Sequence, residues 1–377
     1  MNLDPTADQR LFQSTTREFL AKSVPVEAVR ALAEAGRGFD RAWWRKGAEL
    51  GWTAPLVPER FGGGSVSEAP MADLALVAVE FGRACAPGPL TTTSAVISGL
   101  VLEQDRFADL LAEIVGGETV AVWAHYEPGR GLEPRDADTT AVPDGDGFRI
   151  SGIKDRVESG DQADIFLVDA HGPDGPVQVL IRADAPGVSV APTWTLDVVR
   201  RTAQVSCTDV AVGADAVVQR DPAEATAAMR TQLRVAAALT AAEMTGATDR
   251  AFEMTMRWMF DRYTFGRQLA SFQALKHRVA DYKTWLEACH ATAWAAANAF
   301  ADDPTAAAEA VSVAKSYIGA TAPGIVQECV QLHGGIGVTW EHDMHLYLRR
   351  VTLGRALYGT PGEHRRLLTD LMERNAA

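Results

Sequence analysis

Glu243, Arg262 and a histidine-rich patch near the C-terminus are the residues whose types and surroundings could do chemistry in this 377-residue chain. Glu243 lies in Leu239-Thr240-Ala241-Ala242-Glu243-Met244-Thr245-Gly246, among apolar and small side chains. An uncompensated carboxylate there is costly unless it is protonated, paired or working. Glu243 is therefore either a desolvated base or half of an ion pair, with Arg234, Arg250 or an arginine of another helix as the other half. Arg262 opens Arg262-Tyr263-Thr264-Phe265-Gly266-Arg267-Gln268-Leu269, which runs on into Ser271-Phe272-Gln273. Just past a helix end, a guanidinium can meet a diphosphate with several donors or simply complement the helix dipole. Gly266 lets the chain turn there, and Phe265 can pack on a bound group. Glu341, His342, Asp343 and His345 have the composition of a metal site, and His342 and His345 can share one helix face.

The elements that must position these residues change texture twice. Residues 1–117 are rich in Ala, Leu, Glu and Arg at helical spacing, broken by Pro and Gly at Pro58 to Gly64 and at Pro87-Gly88-Pro89. Residues 118–221 turn to short runs such as Thr119 to Trp123, Ile165 to Val168 and Val177 to Ile181, separated by Gly, Pro and Asp. Residues 222–377 return to long Ala-rich segments, with helices expected over 223–262, 273–301 and 305–332. The fold class is α+β in three parts, helical, then β, then helical. No short internal repeat and no low-complexity linker interrupts that order.

Composition removes several functions. Asp and Glu outnumber Lys and Arg by 49 to 36, so the broad basic footprint of a nucleic-acid or anionic-membrane binder is missing. An anionic ligand must be held by a local arginine or by backbone amides at a helix start. Cys85, Cys207, Cys289 and Cys329 are widely separated and fit no disulfide scaffold, which points to a reducing, cytoplasmic setting. No export signal, membrane-spanning stretch or membrane partner is expected.

Arg262-x-x-Phe265-Gly266-x-x-Leu269 with Phe272-Gln273 resembles the RxxFGxxL…FQ signature of the acyl-CoA dehydrogenase family. Gln331-Leu332-His333-Gly334-Gly335-Ile336-Gly337 is similar to that family's QxxGGxG turn, and it follows Arg262 at the separation the family pattern expects. Trp123-Ala124-His125-Tyr126-Glu127-Pro128-Gly129 is a looser likeness of its AxTEPG loop. Further likeness at Leu50-Gly51-Trp52, Val57 to Gly63 and Ser151 to Lys154 extends the resemblance over nearly the whole chain. It implies an N-terminal helical bundle, a middle antiparallel β-barrel-like domain and a C-terminal four-helix bundle. It also implies FAD, with Arg262, Thr264, Phe265, Leu269, Phe272, Gln273, Gln331, Gly334, Gly335, Trp123, His125 and Thr360 as cofactor-binding residues. In the family this arginine reaches FAD held mainly by a neighbouring subunit, so an oligomer is implied, either homomeric or α2β2 with a related subunit. The segment from Trp340 to Arg350 resembles the one where charges orient helices, and no metal is expected at the histidines. Two departures stand out. The family's flavin-flanking Trp-x-Thr reads Arg156-Val157-Glu158, and Tyr358 in Leu357-Tyr358-Gly359-Thr360 stands where the commonest members carry their base.

The reaction that the resemblance implies removes an α-proton from an acyl-CoA while the β-hydrogen leaves as hydride to the flavin. It needs a desolvated carboxylate and a hydrogen-bonded thioester carbonyl. A second family location for the base, on the helix leading to Arg262, falls on Ala236. Glu243 lies nearly two turns further along the same face and is the nominated base. This pattern resembles the heteromeric steroid side-chain dehydrogenases of actinobacterial type, and it implies a bulky acyl group with electrons passed to an electron-transfer flavoprotein. The alternatives are a non-catalytic subunit that completes another chain's site, for which Arg156, Glu158 and Tyr358 argue, or a flavin oxidase or acyl-carrier-protein dehydrogenase on the same fold.

Overall fold

The computed structural model describes residues 4–131, 137–301 and 304–376. The N-terminal part holds α1 (Ala7–Ser23), α2 (Val26–Ala35), α3 (Arg41–Glu49), α4 (Pro70–Ala84), α5 (Leu90–Leu100) and α6 (Ala108–Val115). Polar side chains set the helix starts. Thr6 and Gln9 form a reciprocal capping box on α1, and Asp40 accepts the Trp43 amide of α3 at 2.8 Å. Trp43, Trp44, Trp52 and Phe81 interlock below them, with Trp52 edge-on to Phe81 at 4.8 Å between ring centres.

The middle part holds β1 (Ala121–Ala124), β2 (Thr140–Asp144), β3 (Gly147–Glu158), β4 (Ile165–Gly172), β5 (Gly175–Arg182), β6 (Val188–Thr193), β7 (Thr202–Val212) and β8 (Val217–Gln219). These strands form a sheet in the order β6-β7-β3-β2-β4-β5-β8, with β1 added beside β4. Most pairings are antiparallel, as the resemblance implies, but β4 pairs parallel with both β1 and β2. A parallel pair needs a long crossover rather than a hairpin, a connection that short apolar runs do not reveal in a sequence. Register shifts in β3 on either side of Lys154 mark the strand that carries Arg156 and Glu158.

The C-terminal part is led by α7 (Pro222–Asp261), a 40-residue helix capped by Asp221, with Pro222 in its first turn. The short strands β9 (Tyr263–Thr264) and β10 (Arg267–Gln268) make a hairpin before α8 (Gln273–Asn298) and α9 (Pro304–His333). Two shorter helices, α10 (Met344–Ala356) and α11 (Pro361–Ala376), pack on α9 and complete the C-terminal helical bundle. α4 and α7 cross with their backbones touching. A Cβ on Gly82 would lie 1.9 Å from the Glu243 carbonyl, and one on Gly246 1.9 Å from the Val79 carbonyl. The two glycines thus fix the depth at which Glu243 sits. Among the described residues no helix is long and apolar enough to cross a membrane, and all four cysteines are free and buried.

Candidate functional site

Glu243 is only 4% exposed, on the face of α7 that meets α4 and α10. Its Oε1 accepts from Arg350 Nη1 of α10 at 2.5 Å, and its Oε2 accepts from Arg200 Nη2, in the loop between β6 and β7. Both arginines are shared. Arg350 also donates to Asp197 and to the carbonyls of Cys85 and Ala86, while Arg200 Nε lies 3.2 Å from Glu158 Oε1. Asp197 in turn accepts the Val199 and Arg200 amides at 2.9 and 3.2 Å. The pairing partner is therefore an arginine of another helix together with a loop arginine. Arg250 instead reaches Glu253 at 3.3 Å.

Three carboxylates and two guanidiniums share this buried volume, and the balance decides which proton is held. Burial pushes Asp197 up, but the adjacent Arg350 and Arg200 bring it below the ordinary aspartate range. For Glu158 burial wins over Arg200, and its pKa is raised. Its Oε2 has no hydrogen-bond partner among the described residues. Burial lowers both guanidiniums, yet their carboxylate neighbours leave Arg200 and Arg350 above the ordinary arginine value. The two side-chain oxygens of Glu243 each already accept from a permanent cation.

Tyr358 lies against this cluster at φ +51°. Its amide donates to Tyr126 Oη, its carbonyl accepts from His364 Nε2 at 2.9 Å, and burial beside Glu158 raises its phenol pKa well above the ordinary value. Lys315, wholly buried, donates to the carbonyls of Gly354 and Leu357 at 2.7 Å each and ends α10 just before that tyrosine. The Arg156 guanidinium covers the Tyr126 ring at 4.5 Å, and the two tyrosine rings are 5.9 Å apart. Tyr126, Arg156, Glu158 and Tyr358 thus come together where the AxTEPG loop, the Trp-x-Thr position and the usual base position converge.

The other residues nominated from the sequence divide in two. Trp123 and His125 are buried and held by Asp169, which accepts Trp123 Nε1 at 3.1 Å and meets His125 Nδ1 at 2.6 Å. Thr360 caps α11, with its amide and hydroxyl both bonded to Glu363 at 2.8 Å. The Arg262 face is open. Arg262, Gln273, Gln331, Gly334 and Gly335 are exposed, and Phe265, at the tip of the β9–β10 hairpin with φ +54°, is 92% exposed. Thr264 pairs with Arg267 across that hairpin. Leu269 donates its amide to the Arg262 carbonyl at 2.8 Å, and the Phe272 ring lies 4.0 Å from the Arg267 guanidinium. A Cβ on Gly334 or Gly335 would meet nothing within 4 Å, so their backbone is open to a ligand. In the histidine patch, Asp343 pairs with Arg30 at 3.1 Å, His345 stacks on Trp340, and His342 accepts the Met344 amide.

Sequence reasoning missed Arg200, Asp197 and Tyr126. Arg200 and Asp197 fall in a loop with no periodic signal. Tyr126 was visible as the residue replacing Thr in the AxTEPG likeness, and Arg156 nearby is the change that accompanies it.

Residues 6–104 match the acyl-CoA dehydrogenase N-terminal domain, and residues 225–372 match the acyl-CoA dehydrogenase C-terminal domain. Acyl-CoA dehydrogenase IpdE2 of Mycobacterium tuberculosis is 32% identical over 98% of this chain and 99% of its own length. Benzylmalonyl-CoA dehydrogenase of Aromatoleum aromaticum is 27% identical over 93% and 94%. Among solved structures, a variant of the Tcur3481-Tcur3483 steroid ACAD superposes with a TM-score of 0.85 at 30% identity, covering 98% of each chain. The chain belongs to the acyl-CoA dehydrogenase family of FAD-dependent oxidoreductases. For FAD, the residues present fit unevenly. The open arginine and glycine face fits the diphosphate and adenosine end, while Tyr126, Arg156 and Tyr358 stand where the family pattern has other residues at its flavin-flanking and base positions.

Proposed function

We propose that this chain serves the FAD-dependent α,β-dehydrogenation of an acyl-CoA thioester as the subunit that completes a neighbouring chain's flavin site, while its own proton-abstraction position stays closed. The observation that carries this reading is Glu243, whose two carboxylate oxygens are taken by Arg200 and Arg350. A base needs a lone pair aimed at the α-carbon, and each Glu243 oxygen is aimed instead at a buried guanidinium that other carboxylates also hold in place. The β-hydrogen would leave as hydride, for which bound FAD would supply the acceptor. Arg262 would meet its diphosphate, Gln331 and the Gly334-Gly335 backbone its adenosine end, and Phe265 and Gln273 the same molecule from the hairpin and the start of α8. A bulky acyl group is the substrate class, supported by the likeness to the steroid and benzylmalonyl-CoA enzymes. An electron-transfer flavoprotein is the electron acceptor, and the assembly is a hetero-oligomer with a related subunit.

A second reading keeps Glu243 as the base. Its support is the burial of Glu243 beside Tyr358, on the α7 face nominated from the sequence. It requires substrate binding to draw both arginines away. Anaerobic flavin bleaching separates the two readings, using steroid-side-chain, branched and straight acyl-CoAs on the chain alone and with any co-purifying partner. Bleaching that needs the partner and survives Glu243→Gln supports the completing subunit. Bleaching lost in Glu243→Gln, with flavin content and acyl-CoA binding retained, supports the base and removes the first reading.

A further inference from the structure

We infer that Trp258 and His333 are positioning residues that brace Arg262 and the Gln331 to Gly335 turn into a single FAD-binding face; this rests on the reading that Arg262 meets the diphosphate. Arg262 directly follows α7 and is exposed, and among the described residues it forms no ion pair that would hold its guanidinium. What it has is Trp258, one turn back, whose carbonyl accepts the Arg262 amide at 2.8 Å and whose ring centre lies 5.8 Å from the guanidinium carbon. Trp258 is stacked in turn on His333, with 5.4 Å between centres and 22° between planes.

His333 is the last residue of α9, directly before Gly334. It is buried, and its Nδ1 lies 2.7 Å from the Cys329 carbonyl, which can only accept, so that nitrogen carries the hydrogen and the ring cannot flip without losing the bond. His342 packs against it at 4.5 Å. Burial lowers the His333 pKa, so the ring is neutral and adds no charge behind the guanidinium. Gly337 explains the remaining glycine of the turn. A Cβ there would lie 2.8 Å from the His333 Cβ and 2.5 Å from the Val330 carbonyl, so the turn closes over His333 only because position 337 is glycine. One stack thus joins the end of α7, which presents Arg262, to the end of α9, which presents Gln331, Gly334 and Gly335. Positioning a donor ahead of binding lowers the ordering cost that an exposed arginine otherwise carries into the complex.

The test is FAD affinity in the assembly with its co-purifying partner, read by flavin fluorescence on stripped protein, with the melting temperature of the flavin-free assembly as the fold control. Arg262→Ala and His333→Ala are each expected to weaken FAD about threefold to tenfold. His333→Phe, which keeps a stacking ring, is expected to stay within about twofold of wild type, and Arg262→Ala/His333→Ala to lose less than the two single losses multiplied together, because part of the His333 loss runs through Arg262. Trp258→Leu removes the same stack from the α7 side and should reproduce the loss if His333→Ala does not fold. Additive losses in the double variant, or a His333→Phe as weak as His333→Ala, would overturn the brace while leaving Arg262 as a flavin contact. Unchanged affinity in Arg262→Ala would overturn the flavin-site reading and the brace with it.

Discussion

The C-terminal bundle uses arginine in two opposite ways. Arg350 is buried on α10, and with Arg200 from the β domain it is consumed by Glu243, Asp197 and Glu158. Arg262, at the end of α7, makes no ion pair among the described residues and faces outward beside a 92% exposed phenylalanine on a left-handed backbone. A buried guanidinium is held in place by the cost of leaving any partner unpaired, so it belongs to the fold. An exposed one contributes little to folding, so its placement makes sense only through something it meets.

If that contrast is right, removing Arg350 should do the most damage. Arg350→Ala leaves Asp197 and Glu243 short of a buried partner, and a loss of about 3–5 kcal/mol is expected in denaturant unfolding. A loss below about 1 kcal/mol would mean that water replaces the guanidinium and that the cluster is a wet pocket. Gly246→Ala comes next, because its new Cβ must push α7 from the Val79 carbonyl of α4. About 1–3 kcal/mol is expected to be lost, read from the same unfolding midpoint.

Glu158→Gln should act in the other direction. A carboxyl raised in the folded state contributes stability that is present below its unfolded value and is lost as pH rises through its folded value. At pH 7.5 the glutamine variant is therefore expected to gain about 1 kcal/mol over wild type, and that gain should shrink as pH falls toward about 4.5. A gain independent of pH would show that Glu158 does not titrate in this range. Smallest of all on stability is Arg262→Ala, expected within about 0.5 kcal/mol of wild type in the flavin-free protein. A large loss there would place Arg262 in the fold and erase the contrast.

Much of this was legible in the sequence because it is local. Asp221-Pro222 starts α7 where a cap and a first-turn proline should, and Arg262 to Gln273 reads as one motif because turn, arginine and next helix are contiguous. The three-part order followed from the change between helical spacing and short apolar runs. The ion cluster was not legible, because Glu243 is joined to Arg200 and Arg350 across 43 and 107 residues, and no spacing rule links a helix carboxylate to a distant loop arginine. The sequence could say that Glu243 needed a reason for its burial, but it could not choose between proton and partner. Thr360 has a second, local role beside the one that the family pattern implies. The glutamate three residues on makes it the cap of α11, a capping box that the sequence spacing already displays.

The backbone contact between α4 and α7 also governs motion. With Gly82 and Gly246 each seated against a carbonyl of the opposing helix, neither helix can slide or roll without a steric collision, so the pair travels as one rigid body. Any opening at Glu243 must then come from the other side of the cluster, where α10 carries Arg350 and the β6–β7 loop carries Arg200. The two sides of Glu243 thus differ in kind, a locked helix pair behind it and two separately anchored arginines in front.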